Sequence, residues 1–429
     1  MQRYRFVGAF VAGAVSAFLA ACSASQQPLP APDRGATIGA IAPAASERTL
    51  HSFAGGTDGQ MPDTALVSLR GEFYGTTTLG GSAGCHTFGC GTVFAVSASG
   101  DERVLHAFSG GKDGEAPGAP VNVVDGHFVG TTVFGGGGKC KEARARGCGT
   151  IFQLTASGTE TVLYRFPGGA GGSQPDAHLA YLNGALYGEA RAGGKGTCGF
   201  GPGCGLIFKM SPSGRVTVLY TFKGKRDGGS PQGGLVLFDG AFYGTTVAGG
   251  SRACYFAFGC GTIFKISPSG IKTTLYDFMG SWNDGAIPSG RLALLDGNLY
   301  GTTETGGGVN CGLTYYLPCG TVFKVTAAGK EDVIYNFKTL PDGSEPNGVI
   351  AYGGMLYGTT PNGGAGCNLG CGTAFELSPA GQETVLYSFQ GGETPSTPGA
   401  DLLESGGAFY GTTEAGGTHG DGTVYALTP

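Results

Sequence analysis

The chain is 429 residues long with 86 glycines, 13% charged residues and a net charge of −5. That weak acidic balance, two units more negative if Arg3 and Arg5 leave with a leader, provides no electrostatic footprint for nucleic acid. High glycine with low charge can mark disorder, but here 41% hydrophobic residues fall in short alternating runs, the pattern of many brief strands joined by tight turns.

Residues 1–21 read as an export signal, with Arg3 and Arg5 ahead of an apolar stretch from Phe6 to Ala20. The stretch ends in Leu19-Ala20-Ala21-Cys22, which resembles the lipobox of bacterial lipoprotein signals. The resemblance implies cleavage before Cys22, lipidation of its thiol and new amino group, and a place in the bacterial cell envelope, anchored to a membrane and facing the periplasm or exterior. Residues 22–47, rich in Ser, Ala, Gln and Pro, then read as a flexible tether.

From residue 48 to 429 one phrase recurs: Phe73-Tyr74-Gly75-Thr76-Thr77, Phe128-Val129-Gly130-Thr131-Thr132, a degraded Leu186-Tyr187-Gly188-Glu189-Ala190, and copies beginning at Phe242, Leu299, Leu356 and Phe409. Seven copies at a near-constant period indicate a repeat architecture. In the first repeat, strands at residues 66–69 and 73–77 flank the turn Arg70-Gly71. A glycine-rich loop then leads to a strand at 92–96, and Ser99-Gly100 turns into a fourth at 103–108. Four antiparallel strands repeated seven times predict an all-β, seven-bladed β-propeller. The repeats start with a fourth strand, Thr49 to Phe53, and finish with a third, Thr423 to Leu427. The N-terminal strand is therefore expected to complete the last blade and close the ring. The third strand carries an aromatic in every copy, from Phe94 to Tyr425, with an aliphatic residue or Met two positions on. That spacing puts both on one buried face. A β-solenoid is the rival architecture, but this repeat is long for one coil.

The recurring LYGTT, GTVFK and GG-x-DG-x-x-P elements resemble the GloVer tandem repeat of bacterial exported proteins. Gly301-Thr302-Thr303 with Gly320-Thr321-Val322-Phe323-Lys324 shows it clearly. The resemblance implies the repeat fold and an exported location; no activity comes with it. Repeat three departs most, with Glu189-Ala190 in place of Thr-Thr and Leu206 in place of the Thr before the third strand.

Twelve cysteines remain apart from Cys22, in pairs between the second and third strands: Cys85 and Cys90, Cys140 and Cys148, Cys198 and Cys204, Cys254 and Cys260, Cys311 and Cys319, Cys367 and Cys371. Because each pair keeps phase with the repeat, six disulfides within single loops are expected in an exported chain, in preference to zinc. Strand parity puts these loops and the inter-blade crossings on one face of the disc. The crossings carry Asp58-Gly59, Asp113-Gly114, Asp227-Gly228, Asp284-Gly285 and Asp342-Gly343. These read as turns in which Asp bonds the backbone two residues on. One Asp per loop does not make a calcium site.

Candidate ligand-binding residues are the loop aromatics Phe88, Tyr255, Phe256, Tyr315 and Tyr316, with Trp282 in a crossing, whose rings suit sugars or a protein partner but equally suit packing on their own disulfides. Catalytic patterns are poor. The match Gly80-Gly81-Ser82-Ala83-Gly84 to G-x-S-x-G sits between strands. The six histidines show no H-E-x-x-H and no repeating position. The expectation is a monomeric, lipid-anchored binding module for a polysaccharide or envelope protein, with no cofactor, metal or nucleic acid. A glycan-cleaving hydrolase or lyase using carboxylates on the loop face, and a purely structural envelope protein, remain as alternatives.

Overall fold

A computed structural model describes residues 45–429, apart from 82–83, 86–87, 139, 141–146, 199–201, 252–253, 255, 282, 309–318, 339 and 368–369. It is a seven-bladed propeller of four-stranded antiparallel sheets. Blade 1 runs Val67–Leu69, Glu72–Thr77, Thr92–Ser97 and Glu102–Ala107, each strand paired to the next. The first hairpin turns use positive φ at both central residues, as at Arg70 (54°) and Gly71 (83°), the turn whose twist matches that of the flanking strands. The second hairpin differs from the two-residue turn expected at Ser99-Gly100. It spans three residues, closed by Ser97 N–H donating to the Asp101 carbonyl at 3.0 Å, with Gly100 at φ 101°.

The ring closes as the sequence predicts. Ser46–Ser52 pairs antiparallel with Thr423–Thr428, from Ser46 opposite Thr428 to Ser52 opposite Thr423. The closing strand begins at Ser46, so Ser46 and Glu47, assigned to the tether by composition, belong to the sheet.

The recurring phrase has a steric cause. Its glycine lies across the ladder from the third-strand aromatic, as Gly75 does from Phe94, and the ring covers it. A Cβ at Gly75 would sit 2.6 Å from Phe94 Cζ, and one at Gly301 2.5 Å from Phe323 Cζ. The second Thr of the phrase pairs with the Thr that opens the third strand: their hydroxyls lie 2.8 Å apart at Thr77 and Thr92, and again at Thr303 and Thr321. In blade 3 the two members of this pair are Ala190 and Leu206, directly opposite each other. The two irregularities of repeat three are thus one exchange of a buried polar pair for an apolar pair, which leaves no orphaned hydroxyl.

Blades are joined by an aromatic chain. The fourth-strand Phe of each blade meets the third-strand aromatic of the next edge-to-face: Phe53 to Phe94 at 5.0 Å, Phe278 to Phe323 at 5.2 Å, and Phe389 to Tyr425 at 5.1 Å. Such pairs contribute ~0.5–1.5 kcal/mol each beyond their buried area.

Candidate functional site

The loop face is built from disulfides and crossings in direct contact. Bridges join Cys85 to Cys90, Cys140 to Cys148, Cys198 to Cys204, Cys254 to Cys260 and Cys367 to Cys371. Cys319 is also disulfide-bonded; Cys311, its expected partner, lies outside the described residues. The carbonyl of the second cysteine accepts an N–H from the crossing to the next blade, from Ala116 to Cys90 at 2.8 Å and from Ile287 to Cys260 at 2.9 Å. Each such donor precedes a proline and is held at positive φ, 55° at Ala116 and 58° at Ile287. That proline packs on the glycine after the cysteine, where a Cβ at Gly91 would lie 2.6 Å from Pro117 Cδ. In the seventh blade Asp421 takes the cysteine's place, and its carbonyl accepts from Met61 N–H at 3.0 Å. The crossings are therefore fixed whether or not a bridge is present.

Of the aromatics singled out from sequence, Phe88 is 63% exposed. Phe256 instead lies stacked on Phe258 with centroids 5.1 Å apart and packs against the core between blades 4 and 5. Tyr255, Trp282, Tyr315 and Tyr316 lie outside the described residues, as do Cys22 and the remainder of residues 1–44.

A second group of polar residues, missed in the sequence, lies around the axis. The first strands of neighbouring blades touch there, brought close by glycine: a Cβ at Gly290 would be 2.6 Å from Gly348 Cα. His178, Arg291 and Asp401 each precede a buried Leu in or next to the first strand of its blade. All three are partly buried. Burial pushes Asp401 up to about 6 against the pull of the Arg291 guanidinium. Burial, then the Arg291 charge, pushes His178 down to about 3. At neutral pH the group therefore combines a neutral imidazole with an Arg–carboxylate couple. Near it, Arg191 Nη1 is 3.5 Å from Asp176 Oδ2. Glu189 accepts Gly234 N–H at 3.0 Å. Burial raises Glu189 to about 8, with Asp176 adding to the shift; at 1% exposure it is an inter-blade strut, out of reach of a substrate.

The crossing aspartates form a third group. Each accepts a backbone N–H from upstream, not from two residues on as expected: Ala54 N–H to Asp58 at 2.7 Å, Lys223 to Asp227 at 2.8 Å, Lys338 to Asp342 at 2.8 Å. Each also faces the side chain two positions before the fourth-strand Phe, and the first residue of the next blade's fourth strand. Tyr335 Oη donates to Asp342 at 2.8 Å and reaches Glu383 at 3.4 Å. In the seam between blades 3 and 4 Tyr220 Oη donates to Asp227 at 2.6 Å, and Lys272 Nζ lies 3.0 Å from the same carboxylate oxygen. Two seams carry His in place of Tyr. His51 Nε2 is 3.3 Å from Asp58 Oδ2, and His106 Nε2 is 3.4 Å from Asp113 Oδ1. His51 and His106 thus share one repeat position, a recurrence hidden in the sequence by the tyrosines of the other copies. Burial works against ionisation of Asp58, but bonds from His51 and the Ala54 N–H hold its carboxyl below the usual range. Glu102 opposite is pushed up to about 7 by burial and by the Asp58 charge.

The Gloeobacter/Verrucomicrobia repeat matches residues 31–202, 138–319 and 316–429. The chain belongs to the Gloeobacter/Verrucomicrobia repeat family. No curated protein sequence matches it. Among solved structures, a xyloglucanase from Xanthomonas campestris is 13% identical, covering 86% of this repeat protein and 52% of its own chain, with a TM-score of 0.50. A luciferin-regenerating enzyme is 13% identical over 90% of this chain and 95% of its own, with a TM-score of 0.44. A gluconolactonase from Xanthomonas campestris is 16% identical over 65% and 78%, with a TM-score of 0.36. These likenesses concern the fold alone. Among the described residues of the repeat protein no helix is long and apolar enough to cross a membrane. Disulfides repeated blade after blade indicate an oxidising, extracytoplasmic compartment.

Proposed function

We propose that this repeat protein is a lipid-anchored, extracytoplasmic binding module that takes a polysaccharide or an envelope protein on its disulfide-pinned loop face. The observation behind this reading is the rigidity of that face: each crossing described above is bonded to the residue two positions before a third strand, so the loops are presented without a large ordering cost on binding. The exposed ring of Phe88 offers an apolar surface on that face. The test is a screen of glycans and envelope extracts for both binding and turnover. Binding without products, weakened by Phe88→Ala, is expected. Absence of any binding would leave only a structural role. The anchor is tested by Cys22→Ala, which should release the protein from the membrane fraction; retention after a high-salt wash would refute it.

A second reading, cleavage of a bound glycan, draws on the His178, Arg291 and Asp401 group at the axis. It requires products in the same screen and their loss in Asp401→Asn.

A further inference from the structure

Seven seams join neighbouring blades, and most carry the same three positions: a ring two residues before the fourth-strand Phe, the crossing Asp, and the first residue of the next fourth strand. What fills the space between them varies. At Asp342 the Tyr335 hydroxyl spans the two carboxylates. At Asp227 the chain supplies its own cation. Lys272, with a side chain 1% exposed, holds its ammonium 3.0 Å from the Asp227 carboxylate and 2.7 Å from Thr274 Oγ1. In the seam between blades 2 and 3 the crossing has no Asp, and Val216 stands at the carboxylate position. Between blades 6 and 7 Thr394 takes the place of the crossing Asp opposite Glu47, so that seam carries one acid.

The two histidine seams keep both acids and place an imidazole where the other seams have a phenol. In each, His, Asp and Glu offer three ligand atoms, all within 4.8 Å of one another: His51, Asp58 and Glu102, then His106, Asp113 and Glu160. In the second His106 Nε2, Asp113 Oδ1 and Glu160 Oε1 are all buried without a hydrogen bond; in the first Glu102 Oε1 is, as are Glu331 Oε1 and Glu383 Oε1 of the tyrosine seams. Two carboxylates and an imidazole face one another where another seam holds a lysine. The neighbouring cations are engaged elsewhere: Arg103 pairs with Glu72 at 2.6 Å, and Arg165 donates to the Lys112 carbonyl at 3.0 Å.

We propose that each of these two seams is a binding site for a zinc-class divalent ion, held by His51, Asp58 and Glu102 in one and by His106, Asp113 and Glu160 in the other. Ligand atoms on a tetrahedral ion at ~2.0–2.1 Å are ~3.3 Å apart, and the His–Asp separations are 3.3 and 3.4 Å. One nitrogen and two carboxylate oxygens with an open fourth position suit zinc; calcium takes six or more oxygens. In the first seam Asp58 Oδ2 both accepts the Ala54 N–H at 2.7 Å and faces His51; in the second the aspartate is oriented from behind. Asp113 Oδ2 accepts from Ser109 N–H at 2.8 Å and its hydroxyl at 2.9 Å, leaving Oδ1 for the ion, the outer-shell support that metal ligands require. The first ion would tie the ring-closing strand to blade 1, and the second would tie blade 1 to blade 2.

The test uses the full-length chain in detergent, stripped with chelator and titrated with zinc chloride, with bound metal counted after dialysis and melting followed in parallel. Two zinc ions per chain and a raised Tm are expected. His51→Tyr and His106→Tyr should each lose one ion, and the double variant both, along with the zinc-dependent rise in Tm. Tyr is native at the equivalent position of the other five blades, so these variants keep the fold, which the apo melting curve verifies. No zinc bound at micromolar free metal, or unchanged stoichiometry in the double variant, overturns the proposal. A single ion lost in only one variant overturns it for the other seam.

Discussion

Thr77→Val and Thr92→Val, alone and together, should reveal a lopsided hydrogen-bond pair. Both residues are fully buried. Thr77 Oγ1 donates to the Leu79 carbonyl at 2.8 Å, meets the Thr92 hydroxyl at 2.8 Å, and accepts the Thr92 N–H at 3.1 Å. Val in place of Thr77 keeps the shape and strands the Thr92 hydroxyl and N–H, while the Leu79 carbonyl still accepts the Gln60 N–H at 3.0 Å, so at ~1 kcal/mol each the loss is ~2 kcal/mol. Val in place of Thr92 removes one donor and leaves the other two bonds intact, for ~1 kcal/mol. In the double variant no Thr92 hydroxyl remains to be stranded, and the loss should fall to ~1 kcal/mol, below that of Thr77→Val alone. Thr92→Val should therefore destabilise the parent and stabilise the Thr77→Val variant. Urea denaturation followed by circular dichroism reads this directly, provided m is constant across the set. Additivity within ~0.5 kcal/mol would refute the coupling and, with it, the account of Ala190 and Leu206 as one paired exchange.

Gly91→Ala sets a Cβ against Pro117 Cδ and the Thr77 carbonyl at φ 91°, and should lower Tm clearly more than Gly71→Ala, where positive φ is the only obstacle; equal melting of the two would discount the crossing contact. Burial raises Glu331 and Glu383 to about 7 and Glu189 to about 8, so the folded state binds more protons than the unfolded state below those values. Stability should consequently fall as pH rises from ~6.5 to ~8.5; His178, lowered from 6.5 to about 3 in the folded state, acts in the opposite sense only at the lower end of that window and is outweighed by the three carboxyls. A Tm in chelator that is flat or rises over the window would contradict the sign. Deleting the chain through Phe53 removes Ser46–Ser52 and the Phe53–Phe94 contact, and should lower Tm and promote oligomers through the exposed Thr423–Thr428 edge. A deletion through residue 43 should melt like the parent, and identical curves for both would remove the closing strand from the ring.

The architecture was legible because its determinants are local and repeated. Gly75 and Phe94 recur at fixed distance in sequence and touch within one blade, so the phrase carries its own structural cause. Ring closure was legible for the same reason, since His51-Ser52-Phe53 matches other fourth strands, although the strand begins earlier than that match suggests. The loop cysteines could be paired because each bridge closes a short local loop. The behaviour of Asp58 and its equivalents was misjudged: the sequence motif shows a turn former, but the carboxylate bonds backwards, to Ala54 N–H.

The seam and axial groups were not legible, and the reason is the order in which a propeller assembles its contacts. His51 and Asp58 are close in sequence, but Glu102 comes from the outer strand of the next blade; His178, Arg291 and Asp401 come from three different blades. A motif search along the chain cannot see such sets. The repeat itself offers the remedy. Once the fourth strands are aligned on their Phe, the first position runs Glu, Glu, Val, Lys, Glu, Glu and, in the closing strand, Glu47. The crossing lacks its Asp opposite Val216 and opposite Glu47, and meets a buried ammonium where the position is Lys272. Seven copies of one seam under the same packing constraint act as an internal control, so the two seams whose acids face a histidine and no built-in cation stand out against the others. That contrast, rather than the presence of acids, is what assigns an ion to them.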